Sequence, residues 1–246
     1  GIIDDLKGLS IKIRGLIYVL ISSVFITVVL NNNSNEIYFA FLLIIFLTWF
    51  INMYNFMDGA DGISSIQAIT CALPVGVIFS IINQNTLALF CYSMAASSVG
   101  FLIWNWPQAK IFMGDVGSCT IGFLFGLLSL YMEKMGIISI AVWLVLLSPF
   151  IVDSTFTLLK RIINKEKWYT AHNMHAFQKL YQSGLAHNKL AIGLLVMNIT
   201  IVWPIAWLAH VYKNLEIILL VSLYGIIGII WLIVQSKCKQ TKTILS

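Results

Sequence analysis

The sequence predicts an all-α, polytopic integral membrane protein, and three observations carry that expectation. The 246-residue chain is 59% hydrophobic and only 10% charged, whereas soluble domains carry about 25% charged residues. Uncharged stretches of the ~20 residues that a helix needs to cross a bilayer recur along it. Basic residues cluster in alternate connections between those stretches. This excludes an ordinary soluble globule and a disordered chain. The net charge of +5 comes from only 15 Lys and Arg, whose placement argues against a nucleic-acid binder. Alternating segments of about 10 residues, the mark of a membrane β-barrel, do not occur.

Taken in order, uncharged stretches run between Arg14 and Glu36 and between Glu36 and Asp58. The run from Gly62 to Ala109 is long enough for two helices, split by the polar triplet Asn83-Gln84-Asn85. Others lie between Asp115 and Glu133, Lys134 and Asp153, Lys189 and Lys213, and Glu216 and Lys237. The expectation is about eight spanning helices. Pro74, Pro149 and Pro204 fall inside or at the ends of these runs, which membrane helices tolerate. The eight Trp lie at or near expected span ends, as an aromatic belt would place them.

The connections 1–14, 52–62, 105–118, 160–189 and 236–246 hold 13 of the 15 Lys and Arg, leaving Lys134 and Lys213 for the other set. The positive-inside rule makes the first set cytoplasmic, and eight crossings put both ends inside. All six Asp fall on that face or at its membrane edge, while Glu36, Glu133 and Glu216 fall on the other. Charge beside lipid is costly and usually functional, so the cytoplasmic face is expected to be the working face. The four Cys are isolated and imply neither a disulfide framework nor a zinc site. Gly1-Ile2-Ile3 reads as the tail of an apolar run. The chain, 1–246, is therefore expected to be a single polytopic domain lacking its first helices.

Four segments on that face carry chemistry. Asp4-Asp5 are adjacent carboxylates, able to bind a divalent cation or to act as a base; they also read as solvated juxtamembrane acids. In N-M-Y-N-F-M-D-G-A-D-G (52–62), Asn52 and Asn55 share a face if the helix persists. Asp58 and Asp61 each precede a Gly that allows a ligand close to the backbone. These are hard oxygen ligands suited to Mg²⁺ and diphosphates, or the furniture of a polar turn. In N-W-P-Q-A-K-I-F-M-G-D-V-G-S (105–118), Asp115 opens a helix, where a phosphate or metal fits and where Asp115 or Ser118 would equally serve as an N-cap. Lys110 is placed to contact phosphate. The loop 160–189 carries six Lys and Arg with His172, His175 and His187, either for topology or as an anion pocket. His172 and His175, three apart, would share a helical face, but they lack further ligands for a zinc site.

In order, G-I-I-D-D, N-x-x-N-F-M-D-G-A-D-G and A-K-I-F-M-G-D-V-G-S resemble the signatures of the polyprenyl-phosphate N-acetylhexosamine-1-phosphate transferases, glycosyltransferase family 4. The resemblance covers nearly the whole chain. The family's H-x-H-H signature is altered here: His175 matches its first His, and Phe177 and Gln178 stand where the others would be. A-H-N-M-H-A-F-Q-K-L looks like the variant of an O-antigen or capsule subgroup that acts on 6-deoxy-N-acetylhexosamines. Family members have ten or eleven spans, with the D-D signature after the third.

The resemblance implies transfer of N-acetylhexosamine-1-phosphate from a UDP-sugar to undecaprenyl phosphate in the bacterial cytoplasmic membrane, releasing UMP. It implies Mg²⁺, with Mn²⁺ as a substitute, held by Asp115 and Asp58. Asp4 or Asp5 would act as base, or as nucleophile of a covalent route. Asn52, Asn55, Asp61, Lys110, His172, His175 and Lys179 would contact substrates, with membrane lipid, and in one reading a second copy, as partners. A secondary transporter is the rival reading, but it would place polar sites near the midplane. A CDP-alcohol phosphotransferase would need D-G-x-x-A-R, which is absent after Asp61-Gly62. A non-catalytic scaffold leaves the carboxylates unexplained.

Overall fold

The computed structural model describes residues 10–30, 37–167 and 173–244. Helices occupy all eight uncharged stretches, and no strand occurs among the described residues. They are α1 (Ile11–Leu30), α2 (Ile37–Met57), α3 (Ile63–Ile81), α4 (Asn85–Asn105) and α5 (Gly114–Lys134), then α6 (Ile140–Leu146) and α7 (Ser148–Ile163). After α8 (Ala176–Gln182) and α9 (His187–Met197), a π turn (Asn198–Val202) leads into α10 (Trp203–Val211) and then α11 (Glu216–Ile244). Among the described residues, six helical runs are long and apolar enough to span a membrane, and α6 with α7 would make a seventh. Large apolar side chains stand exposed along them, including Leu20, Phe41, Ile103, Ile218 and Val221. Such a surface suits lipid, and the protein is a multi-pass membrane protein.

The stretch from Lys134 to Asp153 is not the single span expected. It breaks between α6 and α7, which are bent by 81°. Pro149 stands in the first turn of α7, where its missing N–H costs nothing, whereas in mid-helix it would remove a bond to the preceding turn.

Helix ends follow one device four times. After α3, α5, α7 and α8 a residue with positive φ ends the helix: Asn83, Gly136, Lys165 and Gly184. In each case the next amide reaches back five residues, as Gln84 N to Phe79 O (2.8 Å) and Ile137 N to Met132 O (3.0 Å) do. This is the Schellman pattern. The polar triplet at 83–85 is thereby realised as a tight α3–α4 turn.

The chain divides into two compact units, the described residues of Gly1–Phe56 with Met113–Ile140, and of Met57–Phe112 with Ala141–Ser246. In the first, Ile26, Leu47 and Leu130 form a buried cluster. Gly122 and Gly126, one turn apart on α5, let α2 approach closely: a Cβ on Gly122 would stand 2.7 Å from Phe50 O and 2.8 Å from Tyr54 Cβ. Small residues four apart serve membrane helix packing in this way.

In the second unit, prolines and breaks expose carbonyls that side chains then satisfy. Pro74 lies inside α3 and cannot donate to Thr70 O, four residues back. The Trp203 indole donates there instead, at 2.7 Å. At the end of α6, Leu146 O accepts Gln67 Nε2 (2.8 Å), and Asn198 Nδ2 bridges Gln67 Oε1 (3.0 Å) and Thr70 Oγ1 (2.8 Å). Gln67 and Asn198 are buried. The Trp residues are correspondingly not all a belt: Trp143 is fully buried, and Trp203 and Trp231 donate to internal partners.

Gly122→Val should lower the midpoint of thermal unfolding in detergent, the crowding costing about 1–3 kcal/mol. Gly100→Ala, where a Cβ meets nothing within 4 Å, should leave it unchanged or raise it.

Candidate functional site

Helix α2 persists through Met57, so Asn52 and Asn55 do lie on one helix. Their amides nonetheless part. Asn52 Nδ2 donates back to Thr48 O at 2.8 Å. Asn55 Nδ2 reaches across the first unit to Asp115 Oδ1 (2.7 Å) and Ser118 Oγ (3.1 Å). On the other carboxylate oxygen, Arg14 Nη1 donates to Asp115 Oδ2 at 3.1 Å. Gly114, with φ +63°, turns the chain into α5, and Asp115 stands in the first turn, where a carboxylate complements the helix dipole. Neither Asp115 nor Ser118 is the N-cap. Met113 holds that position, and Ser118 Oγ donates to Gly114 O at 2.8 Å. The carboxylate is thus held by side chains from α1 and α2.

In the second unit, Asp58 is half-buried one residue beyond Met57. Asp61 Oδ2 accepts the backbone N–H groups of Gln108 (3.2 Å) and Ala109 (3.3 Å) and lies 3.1 Å from His187 Nδ1. Beside it, the buried Asn105 Oδ1 accepts Gly62 N (2.9 Å), while its Nδ2 donates to Ile111 O (2.9 Å). One asparagine therefore ties the D-G-A-D-G turn to the segment that follows α4. Lys110 lies over the Trp104 ring, 5.4 Å from its centroid.

Asp153 is a functional candidate that the motif reading did not select. It is buried in α7, with its Oδ1 accepting Ala176 N (2.8 Å), Thr157 Oγ1 (3.1 Å) and Trp231 Nε1 (3.1 Å), and its Oδ2 accepting Phe177 N (3.4 Å). It thus pins the first turn of α8, with His175 at the N-cap and also buried. His175 Nδ1 stands 3.6 Å from Asp153 Oδ1. Residues 173 and 174 are not helical, so no helical face runs back from His175, and the expectation of one shared with His172 is corrected. The first turn of α8 packs on the 58–62 turn, since a Cβ on Gly59 would stand 3.0 Å from Gln178 Nε2 and 3.1 Å from Phe177 Cζ. Lys179 and Lys160 both donate to Gln235 Oε1, at 2.5 and 3.0 Å. The signal for Asp153 was present as a lone carboxylate inside the apolar run S-P-F-I-V-D-S-T-F. Asp4, Asp5 and His172 lie outside the described residues, and within neither unit do the described residues gather three His, Cys, Asp or Glu side chains around one metal position.

Residues 1–133 match the profile described as glycosyl transferase family 4. The chain belongs to that family. Among its relatives, a probable undecaprenyl-phosphate N-acetylglucosaminyl 1-phosphate transferase of Bacillus subtilis (strain 168) is 27% identical over 200 residues, covering 76% of this chain and 56% of the relative. A phospho-N-acetylmuramoyl-pentapeptide-transferase of Streptococcus mutans is 28% identical over 158 residues, covering 62% and 44%. One of the same description from Streptococcus uberis is 34% identical over 96 residues, covering 39% and 29%. The chain spans about half the length, or less, of these curated relatives. The family match takes in the first three motifs and ends before α6, so the Asp153–His175 arrangement lies beyond it.

Asp153→Ala should destabilise the protein by about 1–3 kcal/mol, because Ala176 N and Phe177 N lose their acceptor in a buried site. Thermal unfolding in detergent measures this, and limited proteolysis should newly cut between residues 173 and 186.

Proposed function

We propose that this protein transfers an N-acetylhexosamine-1-phosphate from a UDP-sugar to undecaprenyl phosphate, giving undecaprenyl-diphospho-sugar and UMP. The observation that carries the reading is the Asn55–Asp115 contact. It joins the second and third motifs of a chain whose family match spans both. A phosphate oxygen of the acceptor attacks the sugar-bearing phosphorus of the donor, the bond from that phosphorus to the bridging oxygen breaks, and UMP leaves with the electron pair. One anion attacks another, so the rate depends on positioning and charge neutralisation. Asp4 or Asp5 would take the last proton from the lipid phosphate.

We assign a magnesium ion to Asp115; a ligand role for Asp58 is what the family resemblance implies. The fit rests on the donor set: Mg²⁺ is usually bound through one or two carboxylates plus substrate phosphates, and Asp115 is held in place by Asn55 and Arg14 rather than buried in a closed cage. When bound, the ion would supply neutralisation of the donor diphosphate. In the first unit, Asn55 and Arg14 orient the Asp115 carboxylate. In the second, Asp61 and Asn105 hold the turn that carries Asp58, and the resemblance assigns His175 and Lys179 to phosphate. The donor is a UDP-N-acetylhexosamine, a 6-deoxy sugar in keeping with the altered histidine motif, and the product starts an O-antigen or capsule chain. The acids face the cytoplasm, where the nucleotide sugar is found, while the acceptor's tail stays in the bilayer.

In membranes carrying the full-length gene product, supplied with undecaprenyl phosphate and a panel of UDP-N-acetylhexosamines, UMP release should require Mg²⁺ and favour one sugar. Asp115→Asn should lower that release by roughly two orders of magnitude or more. Unchanged release in the variant would remove Asp115 from the reaction, and no release with any donor would reject the function.

A further inference from the structure

Asp61 does not stand alone in the second unit. Its carboxylate meets two backbone N–H groups and one imidazole. Gln108, one of the two amide donors, has φ +74°, a conformation that a non-glycine residue adopts only when its surroundings hold it there. His187 is the first residue of α9, and its ring packs edge-on against Tyr181 at 4.0 Å between centroids. Its Nδ1 is 3.1 Å from Asp61 Oδ2 and 3.4 Å from Asp61 N. One tautomer cannot serve both contacts. The shorter, charge-assisted one is the stronger, so Nδ1 carries the hydrogen and donates to the carboxylate. Asp61, Trp106, Gln108, Tyr181 and His187 all line one open cleft of about 440 Å³.

Two segments thus end on the same carboxylate: the 106–109 turn through its amides, and the start of α9 through His187. Neither Asp61 nor the turn has a second anchor of this strength from α9 among the described residues. We propose that His187 is a positioning residue for donor binding. It fixes the Asp61 carboxylate in one rotamer, and with it the shape of the cleft wall formed by Trp106 and Gln108. His187 acts through Asp61 and does not touch the reacting atoms. This rests on the reading of Asp61 as a donor-binding residue.

The test uses steady-state kinetics of UMP release with the full-length protein, varying UDP-sugar and undecaprenyl phosphate separately. Tryptophan-fluorescence titration of the purified protein with UDP runs alongside. His187→Ala should raise KM for the UDP-sugar and the Kd for UDP about tenfold, the expected loss for one charge-assisted hydrogen bond. KM for the lipid and kcat should stay unchanged. His187→Asn, whose side-chain N–H can take the place of Nδ1–H, should recover most of the loss, and His187→Phe should recover none. Asp61→Asn combined with His187→Ala should bind no worse than Asp61→Asn alone. An active wild type with an unchanged donor KM in His187→Ala overturns this role and leaves the function standing. Additive losses in the double variant also overturn it, because His187 would then act independently of Asp61. A wild type that neither releases UMP nor binds UDP rejects the function and this role together.

Discussion

A polar group withdrawn from water must find its partner within the chain, and much of this structure follows from that requirement. The apolar surface of the helices gives no hydrogen bonds to a carbonyl freed by proline. Thr70 O, left open by Pro74, is met by the Trp203 indole, and Leu146 O, at the break before α7, is met by Gln67. Asn198 then closes the remaining valences of Gln67 and Thr70 from the π turn that precedes Pro204. The kinks of three separate elements are tied through one small polar network.

The same rule places the carboxylates. Asp115, Asp61 and Asp153 are each surrounded by donors that hold them in one orientation: Asn55 and Arg14 for the first, two amides and His187 for the second, two amides, Thr157 and Trp231 for the third. A carboxylate held this way has already given up its rotamer freedom, so less is lost when it engages a cation or a phosphate. Asp153 differs in kind from the other two. It is buried and committed to backbone, and it fixes the first turn of α8, which carries His175 at its N-cap and Lys179, whereas Asp61 lines an open cleft.

The helical stretches were legible in the residues because hydropathy and length alone decide whether a segment is stable in lipid, but among the described residues six runs, or seven with the bent pair, are able to span where about eight were expected. The three acid motifs were legible for a related reason: charge at a membrane boundary is costly and stands out. Asp153 was equally visible as an ionised group in an apolar run, yet its partners Ala176 and Trp231 lie 23 and 78 positions away, and no spacing rule joins them. His187 read as one more basic-loop residue, because its meaning depends on Asp61, 126 positions earlier.

By itself, then, the sequence determined the membrane class, the helical stretches and the acidic motifs, since each depends on local composition along the chain. Only the tertiary structure decided that the 134–153 stretch bends, that Asn52 turns to its own helix while Asn55 turns to Asp115, and that His175 caps a short helix instead of pairing along one. Those outcomes depend on which donors from distant segments reach a given oxygen, and that is set by packing rather than by order in the chain.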